Sequence, residues 1–227
     1  MSIGEEVIVN APNGATILGG GEAGAATVKQ AIARAPLLVA ADGGAALAIE
    51  LGRMPEAVIG DMDSIPDSIR RSIPADRLHR ISEQNSTDFA KCVRSINAPM
   101  IVGTGVLGPR LDHGLAALNV LAGNPSQRIV LLTGSDLCFL CPPELALRLP
   151  VGSRVSLFPM KQVTGTSVGL KWKIDGLLFS PGGVSGTSNQ VSRSRVSVSF
   201  RDPGMLIILP AVQFDNVIDS LLETAIW

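Results

Sequence analysis

Two carboxylates stand out in the stretch AVIGDMDS at residues 57–64, where Asp61 and Asp63 follow an apolar segment with one residue between them. In an extended chain, residues two positions apart project to the same face, so both carboxylates should point the same way. Like charges this close repel each other unless a cation lies between them. The pattern therefore predicts a metal site. The alternative is a solvated strand end before a short helix that Pro66 opens.

Charged residues also follow other apolar segments of the same region, in DGG at 42–44, EQNSTDFAK at 83–91 and GPRLDH at 108–113. Simpler explanations exist: Thr87 and Asp88 would cap a helix, and Lys91 would form a weak surface pair with Asp88. In an open parallel sheet, however, ligands bind at the carboxyl edge, where the ends of successive strands meet. The residues expected at that edge are Asp42, Asp61, Asp63, Asp88, Lys91, Arg110 and Asp112.

This set of side chains predicts phosphoryl transfer rather than hydride transfer. Mg²⁺ prefers carboxylate and phosphate oxygens, so bound magnesium and a polyphosphate would explain the acids. Lysine and arginine neutralise charge on a transferred phosphoryl group, which would explain the bases.

A glycine-rich turn, GGGEAG at 19–24, lies between a predicted strand and a predicted helix. With Asp42 after the next strand, it matches the dinucleotide-binding pattern G-x-G-x-x-G, but the chain contains 24 glycines and the pattern is short. The narrower prediction is that backbone amides of Gly20 and Gly21 bind a phosphate at the helix N-terminus. Gly43 lies in a second such turn.

The elements that carry these residues indicate an α/β fold. Strands alternate with helices over residues 15–134, which predicts a parallel sheet. Between 144 and 210 the segments are β-branched and separated by Gly, Pro and Ser, which predicts a small all-β sandwich. The last 17 residues have helical apolar spacing, and we expect this C-terminal helix to pack on its own domain, with a subunit interface as the alternative. The predicted domains are an α/β catalytic domain at 1–140 and a β-sandwich domain with the helix at 141–227.

Composition narrows the possible partners and location. Nineteen basic residues balance 20 acids, so no basic face for nucleic acid is expected. The chain is 46% hydrophobic, which indicates a large core, a buried oligomer interface or both. Acids at the N-terminus do not fit a signal peptide, and no apolar run reaches membrane-spanning length. Cytoplasmic location is therefore expected.

The three cysteines are predicted to be buried structural residues. Cys138 and Cys141 form a C-F-L-C pair, but a zinc site needs about four ligands and no histidine lies nearby. The pair does not begin a helix, as a redox pair would. Cys92 stands apart in sequence from both.

Seven motifs resemble, in order and spacing, those of the thiamine pyrophosphokinase family. Coverage runs from about residue 15 to 210. The motifs are DGG at 42–44, GDMDS at 60–64, STDFAK at 86–91, RLDH at 110–113, VSLFP at 155–159, GLKW at 169–172 and GTSN at 186–189.

The resemblance implies transfer of the β,γ-pyrophosphoryl group of ATP to the hydroxyethyl oxygen of thiamine, with release of AMP. It implies Mg²⁺ bound by Asp61, Asp63 and Asp88. The residues implied to bind or surround the ATP phosphates are Gly20, Gly21, Asp42, Gly43, Gln84, Lys91, Arg110, Asp112 and His113.

For thiamine, the resemblance implies contacts with Trp172, Ser188 and Asn189, and a homodimer whose sites combine the α/β domain of one subunit with the β domain of the other. Tryptophan stacks well on a cationic aromatic ligand, and Ser and Asn suit an aminopyrimidine edge. The alternative for Trp172 is a core residue of the sandwich. The chain departs from the family at Asn85, where Asp is common, and at Pro109, where Gly is common. The C-terminal helix also extends beyond the usual end.

Two other functions would use only part of this set. A haloacid-dehalogenase-type phosphatase would use Asp61 as a nucleophile in D-x-D, but it leaves GLKW and GTSN without a role. A nucleotide- or NAD-binding module would use only the glycine turn and Asp42. AMP release in the presence of ATP, Mg²⁺ and thiamine would distinguish the pyrophosphokinase from both.

Overall fold

The computed structural model describes residues 7–227. These residues divide into two compact units, one of residues 7–120 and 131–134 and the other of residues 121–130 and 135–227. Most of the acidic N-terminal segment lies outside the described residues.

Short apolar strands build the first half of the chain. They are β1 (Val9–Asn10), β2 (Ala15–Leu18), β3 (Leu37–Ala41), β4 (Ala57–Gly60), β5 (Leu78–Arg80), β6 (Ile96–Asn97), β7 (Ile101–Thr104) and β8 (Ile129–Leu132). In the first unit, parallel strands pair in the order β7-β2-β3-β4-β5, and β1 pairs with β6. All four residues of β2, of β4 and of β7 are buried, as in a sheet covered on both faces. The predicted parallel sheet is confirmed.

Helices follow most of these strands. They are α1 (Ala25–Arg34), α2 (Gly44–Glu50), α3 (Asp67–Ser72), α4 (Asp88–Ser95) and α5 (Leu111–Gly123), with a 3₁₀ turn at Ala75–Arg77. Thr87 caps α4, because its hydroxyl accepts a hydrogen bond from the Ala90 amide at 3.3 Å. Strand ends and helix starts therefore bring the DGG, GDMDS, STDFAK and RLDH motifs to the carboxyl side of the sheet.

The second unit contains two antiparallel sheets. Their strands are β9 (Asp136–Leu140), β10 (Glu144–Arg148), β11 (Arg154–Pro159), β12 (Val163–Val168), β13 (Leu178–Phe179), β14 (Gly186–Gln190), β15 (Arg195–Phe200) and β16 (Met205–Pro210). One sheet has the order β14-β11-β16-β9 and the other β10-β15-β12-β13. Burial alternates along β10 and β15, so each of these strands has one face toward the core. The predicted all-β unit is confirmed.

The second unit takes in residues 121–130 and then the chain from residue 135 onward, whereas the predicted domain boundary lies at 140/141. The difference arises because β9 pairs antiparallel with β16 and so belongs to the second unit. The catalytic and thiamine-binding roles assigned to 1–140 and 141–227 stay predictions.

The C-terminal segment forms a 3₁₀ turn at Ala211–Gln213 and the helix α6 (Phe214–Glu223). Phe214, Val217, Ile218 and Leu221 are buried, and the helix packs against β10 of its own unit. The expected packing of this helix on its own domain is confirmed.

The cysteines are buried and free, as expected. Burial raises the pKa of all three thiols, which keeps them protonated and unreactive. Among the described residues, no helix is long and apolar enough to cross a membrane.

Candidate functional site

A cavity of about 550 Å³ opens in the first unit beyond the ends of its parallel strands. It is lined by most of the residues predicted there: Gly20, Gly21, Asp42, Gly43, Asp61, Gln84, Asp88, Lys91, Arg110 and His113. Two predicted residues, Asp63 and Asp112, are not among its lining residues. This volume is in the range of small-ligand sites.

Three carboxylates converge in this cavity. Asp42, Asp61 and Asp88 each offer a carboxylate oxygen, and these oxygens lie within 4.8 Å of one another. Asp42 is 2% exposed, and its Oδ1 is buried without a hydrogen-bond partner, while its Oδ2 accepts from the Ser64 amide at 3.2 Å. Burial raises the pKa of Asp42, whereas the Gln84 amide, which donates to Asp61 Oδ2 at 2.9 Å, lowers the pKa of Asp61. An orphaned buried oxygen among like charges fits a bound cation.

The acidic cluster contains Asp42 where the sequence argument placed Asp63. Strand β4 ends at Gly60, and Met62 has φ 70°, so the chain is not extended between Asp61 and Asp63. Met62 is buried in a core cluster with Val58, and Asp63 is exposed, accepting from the Ser64 hydroxyl at 2.9 Å. The backbone between Asp61 and Asp63 is therefore not extended as expected, and Asp63 is not one of the three convergent carboxylates, although it still lies close enough to Asp61 to help lower the pKa of that carboxyl. The metal role implied for Asp63 stays a prediction.

The strand pattern placed Asp42 among the acids at the carboxyl edge, but the family resemblance implied an ATP-binding role for it rather than a metal role. Both β3 and β4 are followed directly by an aspartate, and the two strands are parallel neighbours. The Asp42 amide donates to the Ile59 carbonyl at 3.0 Å, which holds the two strand ends side by side.

Gly60 lets two of the carboxylates approach each other. A Cβ atom at this position would lie 2.7 Å from the Asp42 Cβ and 3.1 Å from Asp88 Oδ1. The first distance is shorter than any real contact between carbon atoms, so only glycine fits between these aspartates without displacing one of them.

The cations of the site differ in exposure. Lys91 is 2% exposed, and its Nζ lies 2.9 Å from Asp88 Oδ1. The alternative of a weak surface pair is wrong for Lys91, because α4 turns this side chain into the cavity. Arg110 is exposed and donates to Asp112, which lowers the pKa of that carboxyl and raises that of the guanidinium. His113 Nε2 lies 4.0 Å from Asp112 Oδ2.

A hydrogen-bond network that the sequence argument missed supports the loop before α4. Glu83 accepts from the Ser86 hydroxyl, from Arg94 Nη2 at 2.7 Å and from the Asn85 amide at 2.7 Å. Arg94 also donates to the Ser86 hydroxyl at 2.8 Å. The network fixes the loop from which Gln84 reaches Asp61. The sequence shows this pair only as a glutamate, Glu83, that lies 11 residues before an arginine, Arg94. Such a spacing is too common to single out.

The glycine turns line the same cavity. The Gly21 amide donates to the Gly105 carbonyl at 2.8 Å, and a Cβ at Gly21 would lie 2.7 Å from that carbonyl oxygen. The absence of a side chain lets the turn after β2 touch the turn after β7. The prediction that the Gly21 amide binds a phosphate is therefore wrong, because this N–H is already bonded to Gly105. Helix α1 begins at Ala25 with Gly24 as its N-cap, as the glycine pattern predicts.

The residues predicted to contact thiamine lie in the second unit. Trp172 is 54% exposed and lies in a bend, so its alternative as a core residue of the sandwich is wrong. The Lys171 ammonium lies 4.7 Å from the centre of its ring. Asn189 is buried and hydrogen-bonded to the backbone of Trp172. Ser188 is exposed, and its amide donates to the Ser156 hydroxyl at 3.0 Å.

Three non-glycine residues of the described chain have a left-handed backbone: Asp42, Met62 and Ser188. They lie in the DGG, GDMDS and GTSN motifs. Such conformations cost free energy and concentrate at functional sites, where surrounding contacts hold them. The left-handed residues therefore fall in the same motifs that carry the predicted binding residues.

This chain resembles known proteins in both sequence and fold. Residues 28–131 match the model of the thiamin pyrophosphokinase catalytic domain, and residues 144–205 match that of the thiamin pyrophosphokinase vitamin B1 binding domain. Thiamine pyrophosphokinase 1 of Oryza sativa subsp. japonica is 30% identical over 200 residues, covering 73% of this chain and 76% of the relative. Thiamine pyrophosphokinase 1 of Arabidopsis thaliana is 31% identical over 172 residues, covering 67% and 64%.

Solved structures share the fold. Thiamin pyrophosphokinase from Candida albicans aligns with a TM-score of 0.75 at 16% identity, over 92% of this chain and 95% of that one. Thiamine pyrophosphokinase from Bacillus subtilis aligns with a TM-score of 0.71 at 22% identity, over 86% and 98%. Together, the matches to both domain models and to the plant relatives show that this chain belongs to the thiamin pyrophosphokinase family.

Proposed function

We propose that this chain is a transferase that moves the pyrophosphoryl group of ATP to thiamine and produces thiamine diphosphate and AMP. In this reaction the hydroxyethyl oxygen of thiamine forms a bond with the β-phosphorus of ATP. The bond from that phosphorus to the oxygen bridging the α-phosphate breaks, AMP leaves with the bonding electrons, and the hydroxyl proton is released. Family membership and the names of the relatives support this assignment.

The observation that carries the proposal is the meeting of three carboxylates with a buried ammonium in one cavity. Asp42 Oδ1 has no partner of its own, and Asp61 and Asp88 lie within 4.8 Å. This donor set fits Mg²⁺, which takes oxygen ligands from one or two carboxylates and from substrate phosphates. Bound there, Mg²⁺ would neutralise phosphate charge and orient the polyphosphate. We assign Asp42, Asp61 and Asp88 to holding it; Asp63 keeps the role that the resemblance implies.

Other residues that line the cavity are suited to binding the phosphates of ATP. Lys91 Nζ is held beside Asp88 and places a desolvated positive charge where a phosphoryl group would bind. Arg110 is exposed at the rim and forms an ion pair with the exposed Asp112, a partner that it can exchange for a phosphate. Gly20 and Gly43 line the cavity with backbone that can approach the phosphates, whereas the Gly21 amide is already bonded to the Gly105 carbonyl.

We assign thiamine to the second unit. Trp172 presents an exposed indole, on which a cationic aromatic ligand stacks, and Ser188 offers an exposed hydroxyl nearby in the motif GTSN. Because the acids belong to the first unit, a complete site needs residues of both units. We propose a homodimer with composite sites; exposed Val168, Leu178 and Val184 on the second unit support a subunit interface there. Cytoplasmic location is likewise proposed.

The test is to incubate the purified chain with ATP, Mg²⁺ and thiamine and to quantify nucleotides and thiamine esters by chromatography. We expect AMP and thiamine diphosphate in equal amounts, and neither product when thiamine or Mg²⁺ is left out. Inorganic phosphate without thiamine would instead identify a phosphatase, and binding of nucleotide without turnover would identify a binding module.

A further inference from the structure

Asn189 uses its side-chain amide on the protein backbone. Its Oδ1 accepts from the Trp172 amide at 3.2 Å and from the Gln190 amide at 2.8 Å, and its Nδ2 donates to the Trp172 carbonyl at 2.7 Å. A carbonyl oxygen has two lone pairs, so both acceptor positions of this amide are occupied. The residue is 5% exposed.

These bonds leave Asn189 without the acceptor that an aminopyrimidine edge requires. A ligand could use its oxygen as an acceptor only by breaking a bond to a backbone amide, which leaves a polar group unsatisfied. The direct contact with thiamine that the family resemblance implies for Asn189 therefore conflicts with the hydrogen bonds that this side chain makes.

Trp172, in turn, depends on these bonds for its position. The residue is 54% exposed, so packing alone does not hold it, and it lies in a bend outside the strands. The Asn189 side chain is hydrogen-bonded to both the amide and the carbonyl of Trp172. The adjacent Lys171 amide donates to the Gln190 carbonyl at 2.8 Å. The bend is thereby fastened to β14.

We propose that Asn189 is a positioning residue that acts on thiamine through Trp172, by fixing the backbone from which the indole projects. The inference rests on the proposed function for its ligand, but the fastening itself is a property of the unliganded chain. A preorganised stacking surface binds more tightly because less side-chain freedom is lost on binding.

The chain offers a direct reporter of this fastening. It contains two tryptophans, so Trp227→Phe leaves Trp172 as the sole source of indole fluorescence. In that background, Asn189→Asp keeps the size of the side chain but places a carboxylate oxygen against the Trp172 carbonyl, with no hydrogen between them. We expect lower fluorescence anisotropy of Trp172 and stronger quenching by acrylamide, both measured without ligand.

Lowering the pH should reverse the effect of Asn189→Asp. A protonated carboxyl donates to the Trp172 carbonyl and still accepts from the two amides, so it restores the original pattern. Anisotropy should then rise toward that of the Asn189 chain, which serves as the reference at each pH. Asn216→Asp is the matched control, because it removes another bond from an Asn amide to a backbone carbonyl, that of Arg148, within the same unit.

Steady-state kinetics complete the test. Asn189→Asp should raise the thiamine KM on the order of tenfold, as expected when a buried hydrogen bond is lost, while the ATP KM stays unchanged. In a Trp172→Ala background the same substitution should have no further effect on the thiamine KM, because the indole through which Asn189 acts has been removed. Asn189→Ser, smaller and neutral, replaces Asn189→Asp if circular dichroism shows that the latter does not fold.

Unchanged Trp172 anisotropy in Asn189→Asp would overturn the proposal. So would multiplicative effects of Asn189→Asp and Trp172→Ala on the thiamine KM, since these would mean that Asn189 contacts the ligand itself. If the unmodified chain made no thiamine diphosphate, the proposed function would fail, and the ligand-free fluorescence would still decide whether Asn189 fastens Trp172.

Discussion

At the residue scale, the cavity of the first unit concentrates negative charge. Asp42, Asp61 and Asp88 lie within 4.8 Å, and Lys91 is the buried cation beside them. Three acids against one ammonium leave a net repulsion in the unliganded protein. Burial raises the pKa of Asp42, and repulsion from Asp88 and Asp61 raises it further. Sites of this kind are less stable than their neutral variants when no cation is bound.

Asp61→Asn should abolish AMP formation because it removes a carboxylate assigned to Mg²⁺. The melting temperature without Mg²⁺ should stay equal or rise, since repulsion is relieved. The upward shift in melting temperature that Mg²⁺ produces in the unmodified chain should disappear. Asp76→Asn, an exposed acid of the same unit, is the control and should change none of these. Near-normal turnover in Asp61→Asn would refute its metal role.

The contact between Lys171 and the Trp172 ring leads to a second prediction, about thiamine affinity. Its ammonium lies 4.7 Å from the centre of the Trp172 ring, where it weakens the attraction of the ring for another cation such as thiamine. Lys171→Ala should therefore lower the thiamine KM by about two- to fivefold. Lys173→Ala removes the same charge from the same turn without the ring contact and serves as the control. Equal effects of both variants on the thiamine KM would argue against a specific role of the ring contact.

At the scale of elements, the loop between β5 and α4 is held by charge rather than by apolar packing. Glu83, Ser86 and Arg94 bond to one another, and Gln84 extends from this loop to Asp61. The hydrogen bonds from Ser86 and Arg94 lower the pKa of Glu83 from 4.5 to about 2.

The lowered pKa of Glu83 gives a pH-dependent prediction. An acid with a lower pKa in the folded state stabilises the fold fully above its unfolded pKa and loses this contribution as the pH falls through the folded value. Glu83→Gln should lower the melting temperature at neutral pH, and its difference from the unmodified chain should shrink as the pH falls from 4.5 toward about 2. Differential scanning fluorimetry across pH measures this, with the exposed Glu50→Gln as control. A difference independent of pH would contradict the assigned cause.

At the scale of the whole molecule, the residues assigned to ATP and those assigned to thiamine belong to different compact units. A homodimer related by two-fold symmetry could combine them across subunits. The exposed apolar side chains of the second unit and the high overall hydrophobic content support such an interface.

Mixing two inactive variants tests the composite site. Asp88→Asn and Trp172→Ala should each be poorly active alone. After unfolding together and refolding, about half of the dimers should be mixed, each with one intact site and one doubly damaged site, so activity should return to about a quarter of the unmodified level. Wild-type chains carried through the same treatment control for refolding. No recovery in verified heterodimers would show that each subunit builds its site alone.

Much of the first unit was predictable because its signals are local. Four-residue apolar strands before glycine turns determine a parallel sheet, and the sheet brings the acids after β3 and β4 to one edge. The resemblance of the motifs to a known family likewise needs only their order and spacing. The amphipathic C-terminal helix was visible in its apolar periodicity, which is a property of the helix itself.

What local pattern could not supply was the direction of individual side chains. Met62 has a left-handed backbone and a side chain buried in the core beside Val58, the following Asp63 is exposed, and Asp42 is the third member of the carboxylate cluster. Likewise, Asn189 bonds to the Trp172 backbone only because a turn from one part of the chain folds against β14 from another. Such contacts join residues distant in sequence, so they depend on long-range packing that no spacing rule encodes.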